Sequence, residues 1–192
     1  MEMESSPDRD LVEQTRRGRV DAYGELVRRY QTSVFNVCYR MLGERQEAED
    51  LAQDAFLRAY QRLETFDVGR PFGPWIRKVA VNLCLNSLQR HRPPRLPLDE
   101  EYDDPVDTDQ PDPADLHEQT DQAVRLRREM AALPAHYRAV IELRHFQDMT
   151  YEEMAKALTI SIGDVKTHLF RARRLLARRL RGAEAEVHRA SE

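Results

Sequence analysis

The stretch "TYEEMAKALTISIGDVKTHLFRARRLL", residues 150–176, contains two helix starts separated by a short turn. Thr150 followed by Glu153, and Ser161 followed by Asp164, both fit a capping pattern in which the two side chains satisfy the free amides at a helix start. Eleven residues separate the two capping positions. This spacing leaves room for a helix of about two turns and a turn of about three residues, so the stretch predicts a helix-turn-helix.

The second of these helices separates apolar from basic side chains. An apolar stripe at i, i+4, i+7 and i+11 is predicted to face the first helix: Val165, Leu169, Ala172 and Leu176. No acidic residue occurs between Val165 and Arg181, so the outer face lacks the Glu–Lys pairs that stabilise a solvated helix. A cationic face of this kind is typical of a recognition helix in the DNA major groove, with contact to an acidic protein as the alternative. The predicted DNA contacts are Lys166, Thr167, His168, Arg171, Arg173, Arg174 and Arg178.

The composition favours an all-α fold. The 192 residues include 7 glycines, and no region alternates apolar and polar residues for long enough to indicate a sheet. In the C-terminal part of the chain, capping signals and Pro134 divide the sequence into four predicted helices, over residues 119–133, 135–147, 150–158 and 162–181.

The net charge of −4 conceals a strong segregation of charge along the chain. Residues 93–121 hold eleven Asp and Glu, one Arg and six of the ten prolines, a net charge of −10, so the rest of the chain carries +6. Such a composition is typical of an unfolded spacer. We therefore expect two small helical domains, residues 1–92 and 119–192, the latter ending in a short polar tail. An acidic, Pro-rich flexible linker, residues 93–118, joins them and serves either solubility or a specific function.

The N-terminal domain contains a predicted helix over residues 47–66 with one apolar and one acidic face. Alanines and larger apolar side chains share one face, and Glu49, Asp50, Gln53 and Asp54 lie on the other. The helix dipole explains acids in a first turn, but it explains Asp54 less well. The acidic face is therefore a candidate contact surface.

A second predicted helix, over residues 70–92, combines an apolar set with cations and amides. This combination suits single-stranded DNA, whose phosphates are gripped by cations and whose splayed bases are read on their exposed edges. The alternative interpretation of Trp75 is an aromatic anchor in the hydrophobic core rather than a DNA contact. The candidate residues for melted DNA are Trp75, Arg77, Lys78, Asn82, Asn86, Arg90 and Arg92.

Several other classes of site and location are not expected. Cys38 and Cys84 lack CxxC spacing and histidines at ligand spacing, which favours buried free thiols in a reducing cytoplasm over a disulfide or a zinc site. No nucleophile–base set, phosphate loop or metal-ligand cluster is found, so neither an enzyme nor a cofactor or metal is predicted. Without a signal peptide or a run of about 18 apolar residues, we expect a cytoplasmic protein with no membrane insertion.

The order of the motifs resembles a bacterial RNA polymerase sigma factor of the sigma-70 family, extracytoplasmic-function group. The resemblance covers about residues 8–181. It is carried by "DAYGELVRRYQTSVFNVCYRMLG", "EAEDLAQDAFLRAYQRLETF", "PWIRKVAVNLCLNSLQRHR", the acidic linker, and "LPAHYRAVIELRHFQDMTYEEMAKALTISIGDVKTHLFRARRLL". Such factors have two helical domains, called region 2 and region 4, that read the minus-ten and minus-thirty-five promoter elements.

The resemblance implies a role for each segment. Residues 77–92 match the segment that melts and reads the minus-ten element, and residues 150–176 match the reader of the minus-thirty-five element. The linker would run towards the RNA path of the polymerase. The implied partners are core RNA polymerase, through its largest and flap-bearing subunits, promoter DNA in duplex and melted form, and an anti-sigma factor. The positions that match the family's contact with the largest subunit are Glu49, Asp50, Leu51, Gln53, Asp54 and Phe56.

The helix-turn-helix departs from the common family pattern at three positions. Many relatives have Gly at the position of Thr159, and a left-handed backbone would cost a β-branched residue about 1 kcal/mol, so the turn is expected to differ slightly. Asp164 and His168 also depart from the common pattern. The alternative function is a helix-turn-helix transcriptional regulator that acts without being a polymerase subunit.

Overall fold

The computed structural model describes residues 7–90 and 121–190, with backbone only for 121–123 and 183–190. Every regular element in this part of the chain is helical, which confirms the predicted all-α class. The first four helices are α1 (Asp8–Arg16), α2 (Val20–Leu42), α3 (Arg45–Gln61) and α4 (Phe72–Arg90), with a 3-10 turn at Leu63–Thr65. The remaining elements are α5 (Asp121–Ala131), α6 (Ala135–Ile141), a π-helical segment (Glu142–Phe146), α7 (Tyr151–Leu158) and α8 (Ile162–Ala190).

The N-terminal domain is built around the long helix α2, which packs against α1, α3 and α4. Gly43, with φ of +83°, ends α2, and its amide donates to the Tyr39 carbonyl at 2.9 Å. Glu44 then caps α3 by accepting the amides of Gln46 and Glu47 at 3.0 and 2.7 Å. These bonds, chiefly that from Glu47, hold the pKa of Glu44 below its usual value.

Helix α3 is shorter than the predicted 47–66 segment. Its α-helical part ends at Gln61, and the 3-10 turn Leu63–Thr65 follows. Arg16 on α1 donates to the carbonyl oxygens of Leu63, Glu64 and Phe66. The Arg16 side chain satisfies these carbonyl oxygens. They therefore do not need the backbone amides that a further α-helical turn would supply.

The helix-turn-helix forms as predicted, with both capping boxes in place. Glu153 donates its amide to the Thr150 hydroxyl at 3.2 Å, and the Thr150 amide donates to the Glu153 carboxylate at 2.9 Å. The Asp164 amide donates to the Ser161 hydroxyl at 3.0 Å. The bond from the Ser161 hydroxyl lowers the pKa of Asp164.

Thr159 adopts the left-handed conformation that the sequence makes costly. Its φ and ψ are 57° and 44°, and its amide donates to the Ala155 carbonyl. The Ile160 amide also donates to Ala155, at 3.1 Å. The turn therefore has the left-handed geometry that Gly would adopt, and the expected difference is not seen. The left-handed residue ends α7 and allows α8 to begin three residues later, at Ile162.

Two other helix boundaries differ from the sequence prediction. The segment predicted over 135–147 is α-helical only to Ile141 and then widens into the π-helical segment Glu142–Phe146. Helix α8 continues to Ala190, past the predicted end at 181. The acidic linker of residues 93–118 lies outside the described residues.

The two domains pack against each other. Helix α2 contacts α5, α6 and the π-helical segment, and α4 contacts α6 and α7. Within the N-terminal core, Cys38 on α2 and Cys84 on α4 are buried free thiols. A hydrogen bond to Cys38 and burial raise the pKa of the Cys84 thiol. The sequence predicted two buried thiols, but not that they meet.

Candidate functional site

The first candidate surface is the exposed acidic face of α3, which lies opposite the buried alanines Ala48, Ala52, Ala55 and Ala59. The side chains of Asp50, Gln53 and Asp54 are exposed. Glu49 is exposed too, and it accepts a hydrogen bond from Arg45 at 3.0 Å. Asp50 and Asp54 have no ion-pair partner among the described residues, although like charges at i and i+4 destabilise a helix. Repulsion of this kind is relieved when a basic surface covers the face.

Two of the predicted polymerase contacts lie on the inner side of α3, and one large apolar side chain outside the prediction is exposed on the outer side. Phe56 is buried and Leu51 is half-buried. These two side chains hold α3 to the bundle and leave the outer face to the polar residues. Leu57 is instead 61% exposed and lies one turn beyond Gln53. Its position outside the apolar face of α3 was the available sequence signal.

The second candidate surface is a stripe along α4. Lys78, Asn82, Asn86 and Arg90 recur at four-residue intervals, which places them on one winding face of the helix. Asn86 and Arg90 are exposed, whereas Lys78 and Asn82 are half-buried. The stripe offers cations for phosphates and amides for base edges. Arg92 lies outside the described residues.

Two further residues assigned to melted DNA are tied into the N-terminal bundle. Trp75 is half-buried, with its ring 4.7 Å from Phe66 and 5.5 Å from Phe72 between centroids. Arg77 is half-buried, and its Nε atom is buried without a hydrogen-bond partner. Trp75 therefore serves as the predicted anchor for the start of α4, and Arg77 lies away from the four-residue stripe.

The third candidate surface is the outer face of α8. Its inner stripe is buried as predicted, with Val165, Leu169 and Ala172 in the core and Leu176 partly buried against it. The predicted contacts that the structure leaves exposed on the outer face are Lys166, Thr167, Arg171, Arg173, Arg174 and Arg178. Because the inner stripe fixes the rotation of α8, these side chains cover the part of the helix that faces away from the stripe, and Arg173, at one edge, donates from Nε to His145 Nε2 at 3.2 Å.

His168 and Phe170 depart from the prediction for α8 in opposite ways. His168 is half-buried, with its ring 5.0 Å from that of His136, and its Nδ1 atom has no hydrogen-bond partner. Burial lowers the pKa of His168. Phe170 is 66% exposed between Thr167 and Arg174. It lies about 140° from Val165 around the helix, which was the signal that it belongs to the basic face.

The described residues contain no group of three or more His, Cys, Asp or Glu side chains placed to hold a metal ion. None of their helices is both long enough and apolar enough to cross a membrane. What the structure does offer is three polar surfaces on three helices, one acidic and two with basic groups. Exposed charged helix faces of this kind are candidate binding surfaces for nucleic acids and other proteins.

Comparison with known proteins accounts for both domains. Residues 26–93 match the family model of sigma-70 region 2, and residues 123–176 match that of sigma-70 region 4. The chain is 33% identical to the extracytoplasmic-function (ECF) RNA polymerase sigma factor SigW of Bacillus subtilis, over 88% of this chain and 95% of that protein. It is 32% identical to the ECF RNA polymerase sigma-E factor of Escherichia coli K12, over 88% and 92%.

A solved structure shows the same fold. CnrH, in complex with the cytosolic domain of CnrY, superposes with a TM-score of 0.64 at 26% identity, over 91% of this chain and 97% of that one. A match to region 2 is not a feature of a helix-turn-helix regulator that works without polymerase, so that alternative is not favoured. The chain belongs to the ECF group of the sigma-70 family of RNA polymerase sigma factors.

Proposed function

We propose that this chain directs RNA polymerase to promoters through the three surfaces described above, each with its own partner. The acidic face of α3 (Glu49, Asp50, Gln53, Asp54, with Leu57) binds a basic surface of core polymerase. The α4 stripe (Lys78, Asn82, Asn86, Arg90) binds the melted minus-ten element. The basic face of α8 reads the minus-thirty-five element as duplex.

One observation carries the proposal. The three surfaces differ in charge and lie on three different helices, and each is fixed by a buried apolar side of its own helix. A protein that binds only duplex DNA has no use for the unpaired Asp50 and Asp54. A protein that binds only another protein has no use for a helix face with six exposed basic or hydroxyl side chains. A polymerase adaptor uses both.

The proposal also assigns a role to the acidic linker of residues 93–118. Its charge resembles that of a nucleic acid, so we infer that it occupies a nucleic-acid path within polymerase and yields to the transcript. Replacing its Asp and Glu residues by Asn and Gln is expected to alter promoter escape. Unchanged initiation and escape would exclude this role.

The names of two solved complexes support an anti-sigma partner. CnrH is described with the cytosolic domain of CnrY, and the factor RpoE of Bartonella quintana is described with the anti-sigma factor NepR. We infer that this chain, too, is held inactive in the cytoplasm by an anti-sigma factor. Copurification of a protein that suppresses transcription by this factor is the expected result.

Reconstituted transcription tests the proposed function. Core polymerase is incubated with a genomic DNA library, with and without the pure protein, and transcript starts are mapped. The expected result is a small set of starts that share upstream elements and depend on the protein. Equal start-site distributions in the two reactions would overturn the proposal, and tight duplex binding by the protein alone would then favour a regulator.

A further inference from the structure

Helix α1 lies outside residues 26–93, which match region 2, yet one of its side chains reaches the segment that precedes α4. The Arg16 guanidinium donates from Nε and Nη2 to the Leu63 carbonyl, at 3.1 and 2.7 Å. Nη2 also donates to the carbonyls of Glu64, at 3.2 Å, and of Phe66. One side chain thus holds three backbone carbonyls that lie 47 to 50 residues further along the chain.

This contact uses properties that are particular to arginine. A guanidinium presents its donors in a rigid planar fork, whereas a lysine ammonium is a compact charge on a flexible stem. The Arg16 side chain is 23% exposed, and its ion pair with the Glu64 carboxylate is long, at 3.9 Å, so the backbone carbonyls are its main partners. The adjacent Arg17 is 77% exposed and pairs with Glu13 on its own helix.

Phe66 connects the Arg16 contact to the start of α4. The Phe66 side chain is buried, and its backbone carbonyl is one of the three that Arg16 holds. Its ring centroid lies 5.6 Å from that of Phe72 and 4.7 Å from that of Trp75, and both of these residues belong to the first turn of α4. Because buried rings pack closely, a displacement of the Phe66 backbone would move the first turn of α4.

Asp8, at the other end of α1, holds the same turn by a second route. Its carboxylate accepts hydrogen bonds from Arg29 and from the Tyr30 hydroxyl, both on α2. The Tyr30 ring centroid lies 5.5 Å from that of Phe72. A Cβ added at Gly73 would lie 2.8 Å from Tyr30 Cε1, so this ring also packs closely against the α4 backbone. Both ends of α1 therefore contribute to the position of α4.

The first turn of α4 leads directly into the α4 stripe. Lys78, the first member of the stripe, follows Trp75 by three residues, which is less than one helical turn. A rotation of the first turn therefore turns the whole stripe. Hydrogen bonds to base edges require donor–acceptor distances of about 2.7–3.2 Å, whereas the attraction of a cation to a phosphate falls off gradually with distance. A small rotation of α4 would therefore remove base discrimination before it removed affinity for single-stranded DNA.

We propose that Arg16 is a positioning residue for recognition of the minus-ten element. It holds the carbonyls of residues 63–66, so that Phe66 and Trp75 set the rotation of α4 and of its stripe. The position of α4 concerns the free protein, whereas the role in recognition rests on the proposed function. Arg16 acts through these residues and does not itself contact DNA.

Fluorescence of the full-length free protein tests whether Arg16 positions α4. The chain contains one tryptophan, so emission reports on Trp75 alone. Arg16→Gln is expected to shift the emission to longer wavelength and to increase quenching by acrylamide, with unchanged helix content, because the Phe66 ring is no longer held against Trp75. Arg17→Gln is the matched control, since it removes the neighbouring exposed arginine of the same helix, and it is expected to change neither signal.

Binding of single-stranded DNA by the protein assembled with core polymerase tests the role in recognition. The ratio of the affinities for a minus-ten strand, taken from the mapped promoters, and for a scrambled strand of the same composition measures discrimination. Arg16→Gln is expected to lower this ratio about tenfold, the loss of one good base contact, and to leave the affinity for the scrambled strand and its salt dependence unchanged. Arg17→Gln is expected to leave the ratio unchanged.

Arg16→Lys separates the planar fork from the charge. The ammonium keeps the charge but cannot match the fork, so the emission and the affinity ratio are expected to recover only in part. Full recovery in Arg16→Lys would show that charge alone suffices and would overturn the role of the fork.

Two results would overturn the proposal itself. Unchanged Trp75 emission in Arg16→Gln would show that Arg16 does not position α4. A shifted emission with an unchanged ratio, or an equal loss of affinity for both strands, would exclude a role in recognition. If no form of the protein assembles with polymerase, the proposed function fails together with that role, while the emission still decides whether Arg16 positions α4.

Discussion

Thr159 is the residue at which local preference and the demands of the turn conflict. A left-handed backbone costs a β-branched residue about 1 kcal/mol, and Gly in its place adds about 0.5 kcal/mol of chain entropy to the unfolded state. Thr159→Gly is therefore expected to raise the free energy of unfolding by about 0.5 kcal/mol. Thermal melting of the two proteins at one pH checks this. A lower melting temperature for the variant would show that the Thr159 side chain contributes a contact that outweighs the strain.

His168 gives the C-terminal domain a pH dependence. Burial lowers its pKa, Asp164 opposes the change and Arg171 adds to it, while the rings of His136 and Tyr137 face it from α6. The unfolded chain therefore takes up a proton near the ordinary pKa of 6.5, before the folded protein does. Stability is fully present above this pH and is lost as the pH falls through the lowered pKa.

Melting temperatures measured between pH 7.5 and 5 are therefore expected to decrease towards acid. His168→Gln is expected to make this decrease shallower. The pKa of His145 is also lowered, chiefly by burial, so His145→Gln should remove a further part. An identical pH profile for His168→Gln and the unsubstituted protein would contradict this account.

Among single helices, α3 and α8 each present one charged face to solvent, and the proposed function assigns the two faces to different partners. On α3, Asp50→Ala with Asp54→Ala is expected to weaken association with core polymerase about tenfold at every promoter. The same change should leave stability unchanged or slightly higher, because it removes a like-charge pair at i and i+4. Titration with labelled polymerase and thermal melting measure the two effects. Glu64→Ala, another exposed acid, is the control, and equal weakening by it would exclude a local contact.

On α8, Arg174→Ala is expected to weaken binding to minus-thirty-five duplex and to lower the slope of log K against log salt by about 0.9. The reason is the loss of one phosphate contact and of the counterions that it releases. Fluorescence anisotropy at several salt concentrations measures both. Arg9→Ala on α1, whose side chain is 68% exposed, is the control. A salt slope unchanged by Arg174→Ala would place the residue outside the DNA interface.

For the whole molecule, the proposed function implies that two weak DNA contacts act together once polymerase holds both domains. Inserting 5 base pairs between the promoter elements rotates one by about half a turn of the duplex relative to the other. Initiation is expected to fall strongly, while binding of each domain to its own element should not change. Run-off transcription compared with binding to separate half-sites measures this. Full initiation from the lengthened promoter would show that the two domains are not held in fixed register.

Much of the candidate site followed from the sequence because helix faces depend on local periodicity. The apolar stripe of α8 fixed which side of that helix faces outward, and the capping patterns at Thr150 and Ser161 fixed where α7 and α8 begin. Phe170 and Leu57 were assigned neither to the core nor to a contact surface. Their angular positions place both outside the core, and the structure leaves both side chains exposed.

Local sequence accounts for the helical class, the position of the helix-turn-helix, the charge of each outer face and the resemblance to the family. These properties depend on residues within a few turns of one another. The packing of the helices brings Cys38 to Cys84, half-buries His168 and places Glu142 in the core opposite Arg40, and none of these contacts was predicted. Such contacts depend on how helices distant in sequence cross, and a carboxylate that would be solvated on an isolated helix is buried only because a second domain covers it.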